Sequence, residues 1–178
     1  MLCDRLWQNS GIVPTLTTEQ VFTGAAQIPA RDNNGTNAGD GVFGAVEVSS
    51  AMGSAAPTIT LKYTNTLAGT STGNNITPTT TTSPAGVFHP FALAAGDVGV
   101  QKAQSIQFST SWLSGTCHVV LFRVLAKLEL TGANIPNAID AFTSGFPSLF
   151  NNSVPFLVFI PNTTTASYIG GSAIWSQG

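Results

Sequence analysis

Apolar and polar residues alternate with a period of two along much of the chain, and this pattern predicts β-strands. Between residues 58 and 65, the apolar side chains of Ile59, Leu61 and Tyr63 alternate with polar ones, which indicates one buried face and one solvated face. Similar alternation covers residues 42–49 and 105–112, and a long apolar run covers residues 117–130. Further strands are expected at 2–6, 17–28, 87–93 and 155–160, the last as a hairpin with residues 167–175.

About eight strands separated by turns predict an all-β fold, either an antiparallel β-sandwich or a jelly roll. The pair Ser114-Gly115 predicts a hairpin between the strands that flank it. One short helix is expected near 137–144, with Asn137 as its N-cap and Gly145 at its end. One sandwich core is expected to contain Ile59, Leu61, Tyr63, Ile106, Phe108, Phe122, Val124 and Leu128.

Domain organisation follows from length and from a few segments of unusual composition. The 178 residues are expected to form a single domain, in which residues 1–14 are a docking or exchanged arm because residues 2–6 resemble the middle of a strand. Residues 67–83 are rich in Thr, Gly and Asn, so a disordered linker and an edge strand over 76–82 both remain open. The longest apolar stretch, Phe156–Ile160, is too short to span a bilayer, and no membrane partner is expected.

Charged residues are scarce. The chain has 6 Lys and Arg residues and 8 Asp and Glu residues, about 8% of the total, whereas an ordinary domain has about a quarter. A net charge of −2 gives no electrostatic footprint for nucleic acid. Catalytic and metal sites require clusters of ionisable groups. We therefore expect no enzymatic activity, no cofactor, no metal site and no nucleic-acid partner, and instead a neutral surface that packs against copies of a protein.

The few candidate reactive residues support this expectation. Cys117 and His118 are neighbours in a predicted strand, so their side chains point to opposite faces and cannot form a nucleophile–base pair. His118 is expected in a core or an interface, and no partner is evident for His89. Cys3 and Cys117 are expected to be free thiols. The acidic residues lie mostly in turns, and the loop 32–40 lacks the spacing of an EF-hand, although weak calcium binding remains open.

Two groups of residues are candidates for an interface. Arg123, Lys127 and Glu129 share one face of the long strand, where they meet cross-strand partners on a polar outer face or form ion pairs across a subunit boundary. The other group belongs to the N-terminal segment. The predicted interface residues are Leu2, Leu6, Trp7, Arg123, Lys127 and Glu129.

Several segments together resemble a family of tailed-bacteriophage virion structural proteins. These segments are Leu2–Trp7, Ile28–Asn37, Pro57–Asn65, Ala95–Val100, Pro136–Gly145 and Val154–Pro161. The resemblance covers most of the chain and implies a structural, non-enzymatic role without fixing the position in the virion. Members of that family tend to have more sequence before the segment that matches Leu2–Trp7, so this chain is expected to be a short form.

Within that class, composition and strand pattern favour a capsid decoration, or cement, protein that binds and stabilises the phage head shell. Such proteins resemble this chain in size, are commonly β-barrels or jelly rolls, and often form trimers. The resemblance thus implies a homotrimer that contacts the major capsid protein or neighbouring virion proteins and is assembled in the host cytoplasm. The alternatives are a tail or head–tail component, such as a fibre or adaptor subunit, and a carbohydrate-binding module.

Overall fold

A computed structural model gives the fold of the chain, and it describes residues 1–75, 82–130, 132, 135–146, 149–160, 170, 172 and 174. The strands in these ranges are β1 (Leu2–Asn9), β2 (Gln20–Val21), β3 (Val42–Ser50), β4 (Ile59–Asn65), β5 (Thr70–Asn75), β6 (Phe88–Ala92), β7 (Val100–Phe108), β8 (Thr116–Ala126) and β9 (Pro155–Leu157). One helix, α1 (Ala141–Ser144), lies between β8 and β9. The predicted all-β class with one short helix is confirmed.

The nine strands form one curled antiparallel sheet in the order β2-β7-β4-β5-β6-β3-β8-β1-β9. Strand β6 joins its two halves, because it pairs with β5 on one side and with β3 on the other. Apolar side chains from both halves meet in the main core, which includes Ile59, Leu61 and Tyr63 of β4 as predicted. The halves approach closely at Gly44, where an added Cβ would lie 2.8 Å from the Leu61 side chain.

A second apolar cluster lies on the other face of the half that contains β3, β8 and β1. Its buried members are Cys3, Ala45, Val120 and Phe122, and Val124 packs against them. The prediction that Phe122, Val124 and Leu128 line the same core as β4 is therefore wrong. The reason is that β8 is apolar on both faces, and that Leu128 lies beyond its end with 39% of its surface exposed.

The predicted hairpin between β7 and β8 is also wrong. Strand β7 pairs with β4 and β2, whereas β8 pairs with β3 and β1. The intervening residues carry the chain from one half of the sheet to the other, and they place the Trp112 side chain inside the main core. Ser114-Gly115 lies in this connection rather than in a hairpin turn.

Other elements are shorter than predicted or start elsewhere. The helix begins after Asp140, whose carboxylate accepts a hydrogen bond from the Thr143 N–H at 2.6 Å, and it ends at Gly145 in the left-handed region. Asn137, the predicted cap, donates instead to the Glu129 carbonyl.

The strand predicted over 17–28 is reduced to β2, and β5 lies before the predicted edge strand. Residues 76–81 of that predicted edge strand fall outside the described residues. Most of the predicted partner of the last hairpin, 167–175, also falls outside them, and β9 pairs with β1.

Candidate assembly interface

Strand β9 is the last strand of the sheet and lies along β1. The amino group of Met1 donates to the Val158 carbonyl at 2.7 Å, and the Val158 N–H donates to the Met1 carbonyl at 2.8 Å. Four residues further along β1, the Arg5 N–H donates to the Val154 carbonyl at 3.0 Å. Since backbone groups alternate in direction along a strand, those of Leu157 point away from β1. Within the described residues, β9 is thus an open edge of the sheet.

A buried carboxylate holds the chain just before β9. Asp4 of β1 has no exposed surface, and its Oδ1 accepts a hydrogen bond from the Val154 N–H at 2.8 Å. Its Oδ2 accepts from the Ser153 hydroxyl at 3.0 Å and from Arg123 Nε at 3.4 Å. The Arg31 guanidinium lies 3.8 Å from Asp4 Oδ1. Asp4 therefore connects β1, β8 and the loop before β3 to residues 153–154.

The two arginines make further contacts with the same region. Arg31 donates to the carbonyls of Asn152 and Arg5, the latter at 3.1 Å. Arg123 donates to the Asp32 carbonyl at 3.2 Å, and its guanidinium lies 5.2 Å from the centre of the Phe150 ring. Buried charges require partners of opposite sign. Asp4 is the carboxylate partner of both buried arginines, whereas the buried Asp32 carboxylate accepts from N–H and hydroxyl donors of its own loop.

Asp32 organises the loop that leads into β3. Its Oδ1 accepts from the Asn34 and Thr36 N–H groups at 3.0 and 2.7 Å, and its Oδ2 accepts from the Thr36 hydroxyl and the Gly39 and Asp40 N–H groups at 2.6–3.2 Å. Burial raises the pKa of Asp32, but these hydrogen bonds outweigh burial and lower the pKa below its usual value. Both Asp32 oxygens accept hydrogen bonds from donors of the loop, and weak calcium binding by this loop stays a prediction. No cluster of metal ligands occurs among the described residues.

Aromatic contacts hold β9 against the second apolar cluster. The Phe156 ring lies 5.9 Å from that of Phe88 and 6.1 Å from that of Phe122, and the latter two rings are 5.2 Å apart. The Arg5 guanidinium lies 5.0 Å from the Phe156 ring and 2.8 Å from the Glu47 carboxylate. Phe156 therefore covers the outer face of the sheet, while the next side chain, Leu157, is 81% exposed.

Exposed large apolar side chains are frequent in the part of the chain that leads to β9 and forms it. We call residues 127–149 the connecting segment and residues 150–160 the C-terminal arm. Their exposed large apolar side chains are Leu128, Leu130, Ile135, Ile139, Phe142, Val154, Leu157, Phe159 and Ile160. Asp140 is the one charged residue between positions 130 and 178. Contiguous exposed apolar patches are typical of interaction surfaces, which makes this part of the chain the candidate assembly interface.

The structure places the predicted interface residues in three environments. Leu6 and Trp7 pack in or against the main core, with the Trp7 ring 5.7 Å from Phe22, and Leu2 is half-buried opposite Leu157. Strand β1 itself is internal, because β8 and β9 flank it. Exchange of residues 1–14, which stays a prediction, would require β1 to leave both neighbours.

Arg123 differs from the two residues with which it was grouped. It is 1% exposed in the ionic cluster around Asp4, so the expected polar outer face at this position is wrong. The reason is that Asp4 and the loop before β3 cover this end of β8. Lys127 and Glu129 follow the end of β8 and are exposed. The roles of Arg123, Lys127 and Glu129 in an interface stay predictions.

The histidines and cysteines are held mainly by packing. His89 is buried, its Nε2 lies 3.1 Å from the Ser83 hydroxyl and its ring lies 5.6 Å from Trp112. Burial lowers the pKa of His89 and raises the pKa of Cys117 to about 12 and that of Cys3 to about 11. Cys117 belongs to the main core and His118 lies on the opposite, half-buried face of β8, as predicted.

Sequence reasoning missed Asp4, Arg31 and Phe156 as the residues that hold the C-terminal arm. A usable signal was present at Asp4, since a carboxylate inside a short apolar strand segment needs a buried partner. The identity of this partner could not be predicted from the sequence, because Arg123 is 119 positions away from Asp4.

No family model, curated protein or solved structure matches this chain. Among the described residues, no helix is both long and apolar enough to cross a membrane. Inference about function therefore depends on the residues and contacts described above.

Proposed function

We propose that this protein is a virion structural protein, namely a capsid decoration protein that binds and stabilises a phage head shell as a homo-oligomer, with a trimer expected. The observation that carries the proposal is the apolar surface of the connecting segment and the C-terminal arm, where Lys127, Glu129 and Asp140 are the charged residues and which the Asp4 cluster attaches to the sheet. The centres of protein–protein interfaces are apolar and depleted of charge, as this surface is.

The outer face of the other half of the sheet supports close packing of copies. Its side chains are mostly neutral hydroxyls and amides that bond to one another. Gln104 donates to the Thr64 hydroxyl at 2.9 Å, and the Thr60 hydroxyl donates to Asn74 at 2.8 Å. Such a face carries few long charged side chains to keep a neighbouring subunit away.

A carbohydrate-binding module is the less favoured alternative. The described residues form a polar cleft of about 160 Å³ lined by Glu19, Thr60, Lys62, Thr72, Ser105 and Gln107. This lining has no aromatic side chain on which a sugar ring could stack. A glycan-array screen tests this alternative, and specific binding there would contradict the structural proposal.

The decoration proposal is tested by adding the purified protein to phage heads that lack it. We expect saturable binding at high copy number and a higher temperature of head disruption. A stoichiometry of six or twelve per virion would instead favour a tail or head–tail component. Phe142→Ser, at a side chain that is 97% exposed, should weaken head binding or oligomerisation, whereas Leu67→Ser, at an 88% exposed position in the β4–β5 turn, should not.

Association should depend little on salt, because few ion pairs are available to be screened. Sedimentation at about 50 mM and about 500 mM salt, conditions that change the screening length several-fold, measures this dependence. A stable monomer under both conditions, or an oligomer that dissociates only at high salt, would contradict the proposed mode of assembly.

A further inference from the structure

We infer that the C-terminal arm is exchanged between copies of this protein, so that β9 of one chain pairs with β1 of the next. This inference rests on the proposed homo-oligomeric function and deepens it. The observation behind it is a contrast between two consecutive parts of the chain. The arm has a specific docking site, whereas the described residues between 127 and 145, in the segment that leads to it, make their hydrogen bonds within that segment.

The docking site holds the arm through side-chain and backbone hydrogen bonds and through aromatic packing. Asp4 accepts hydrogen bonds from Val154 N–H and the Ser153 hydroxyl, Met1 exchanges two backbone hydrogen bonds with Val158, and Phe156 fills the aromatic cluster. Every copy carries an identical β1 and an identical arm. The same contacts can therefore form between two chains, and the occupant that we infer for this site is the arm of a second copy of this protein.

The described residues of the connecting segment up to position 145 form hydrogen bonds with one another. Its helix α1 has four residues, none of them buried. The hydrogen bonds of the described residues up to position 145 remain within the segment, for example from the Asn137 side-chain amide to the Glu129 carbonyl at 2.7 Å. Ordering a backbone costs about 1–2 kcal/mol of conformational free energy per residue. Exposed side chains such as Phe142 bury almost no apolar surface that could offset this cost. Burial against a neighbouring subunit would supply the missing stabilisation.

The low charge of the arm and the length of the connecting segment both favour a second copy as the partner of the arm. Asp140 is the one charge after position 129, so arms of neighbouring subunits do not repel one another appreciably. The connecting segment spans residues 127–149 and can extend to roughly 75 Å at about 3.3 Å per residue, which is enough to reach an adjacent subunit. If each subunit gives its arm to one neighbour and receives an arm from another, the contact is heterologous, and it forms a ring such as a trimer when the rotation between subunits closes.

Cysteine cross-linking between β1 and β9 tests the exchange. Leu2 and Leu157 are directly opposite. They occupy a pair without mutual hydrogen bonds, because Met1–Val158 on one side is a hydrogen-bonded pair. The Cα atoms of such a pair lie about 4.5 Å apart, within the range for a disulfide. Native Cys3 and Cys117 are buried and should not react.

Two single variants, Leu2→Cys and Leu157→Cys, are co-expressed, oxidised and separated by non-reducing electrophoresis. Exchange predicts a covalent dimer in this mixture, and covalently closed oligomers in the Leu2→Cys/Leu157→Cys double variant. An intrachain disulfide in the double variant, with no cross-link in the mixture, would overturn the inference. Leu67→Cys replaces Leu157→Cys in the control mixture, which should give no covalent dimer.

Phe156→Ala provides a second readout that needs no disulfide. If the arm is exchanged, loss of this anchor should convert the oligomer to monomers in sedimentation while the far-ultraviolet spectrum is retained. An oligomer that persists although the arm becomes sensitive to protease would overturn the exchange. Head binding of the parent is measured in parallel. Intrachain cross-linking with intact head binding rejects only the exchange, and interchain cross-linking without head binding rejects only the proposed function.

Discussion

Replacing Asp4 by Ala should be among the most destabilising single changes in this protein. Asp4 has no exposed surface, and it is the carboxylate that contacts both buried arginines, Arg123 at 3.4 Å and Arg31 at 3.8 Å. It also accepts hydrogen bonds from Ser153 and Val154. The Ala variant leaves a guanidinium that is 1% exposed without its carboxylate, and it releases the attachment of the C-terminal arm.

Breaking a buried ion pair by removing one partner typically costs about 3–5 kcal/mol, because the remaining charge is uncompensated. Since a domain has a total stability of about 5–15 kcal/mol, this is a large fraction. For a chain of this size, each kcal/mol lowers Tm by about 2–4 °C, so the expected decrease is roughly 6–20 °C. Asp4→Asn keeps an oxygen that can accept from Val154 N–H but lacks the charge, and it should fall between the parent and Asp4→Ala.

The measurement is urea unfolding followed by circular dichroism, at matched protein concentration because oligomerisation contributes to apparent stability. Glu129→Gln makes the same carboxylate-to-amide change as Asp4→Asn at an exposed position, and it should unfold like the parent. If the free energy of unfolding of Asp4→Ala lies within about 1 kcal/mol of that of the parent, the Asp4 carboxylate does not stabilise the fold by pairing with the buried arginines.

Three further changes test the core, a buried histidine and a tight backbone contact. Leu61→Ala or Phe108→Ala should cost about 2–5 kcal/mol in urea unfolding, and a change below about 0.5 kcal/mol would contradict their assignment to the main core. Burial lowers the folded-state pKa of His89, so its contribution is complete above the unfolded value of about 6.5 and is lost as pH falls. His89→Gln should therefore reduce the loss of stability between about pH 6.5 and 5, and an unchanged profile would refute this. Gly99→Ala would place a Cβ 1.8 Å from a facing carbonyl oxygen and should lower Tm, whereas Gly69→Ala, with its nearest contact at 3.4 Å, should not; equal effects would refute the close approach.

The fold was predictable where alternation is strict. In β4, apolar residues at every second position determine which face is buried, since successive side chains point to opposite sides of a strand. The same rule locates β3 within one residue of its observed end. In β8 the rule fails, because both faces are apolar and the period-two signal disappears. The assignment of Phe122 and Val124 to the main core was wrong for this reason.

Pairing was less predictable than strand position. Ser114-Gly115 indicates a reversal of the chain, but turn residues do not determine which strands the chain joins. Here the buried Trp112 side chain accompanies a crossing between the two halves of the sheet, so β7 and β8 never become neighbours. The arm was less predictable still, since its attachment depends on Asp4, which lies 150 positions from Val154.

The composition of β8 explains why the C-terminal arm matters to the fold. A strand that is apolar on both faces requires a covering layer on each side. The other half of the sheet covers one face, and Phe156 and Val158 of the arm pack against the cluster on the other. Removing the arm without replacement would uncover Cys3, Val120 and Phe122, so a released arm is unfavourable in water. The two states that keep this face covered are an arm docked on its own chain and an arm received from a neighbour, and only the second also gives the apolar connecting segment a subunit against which to pack.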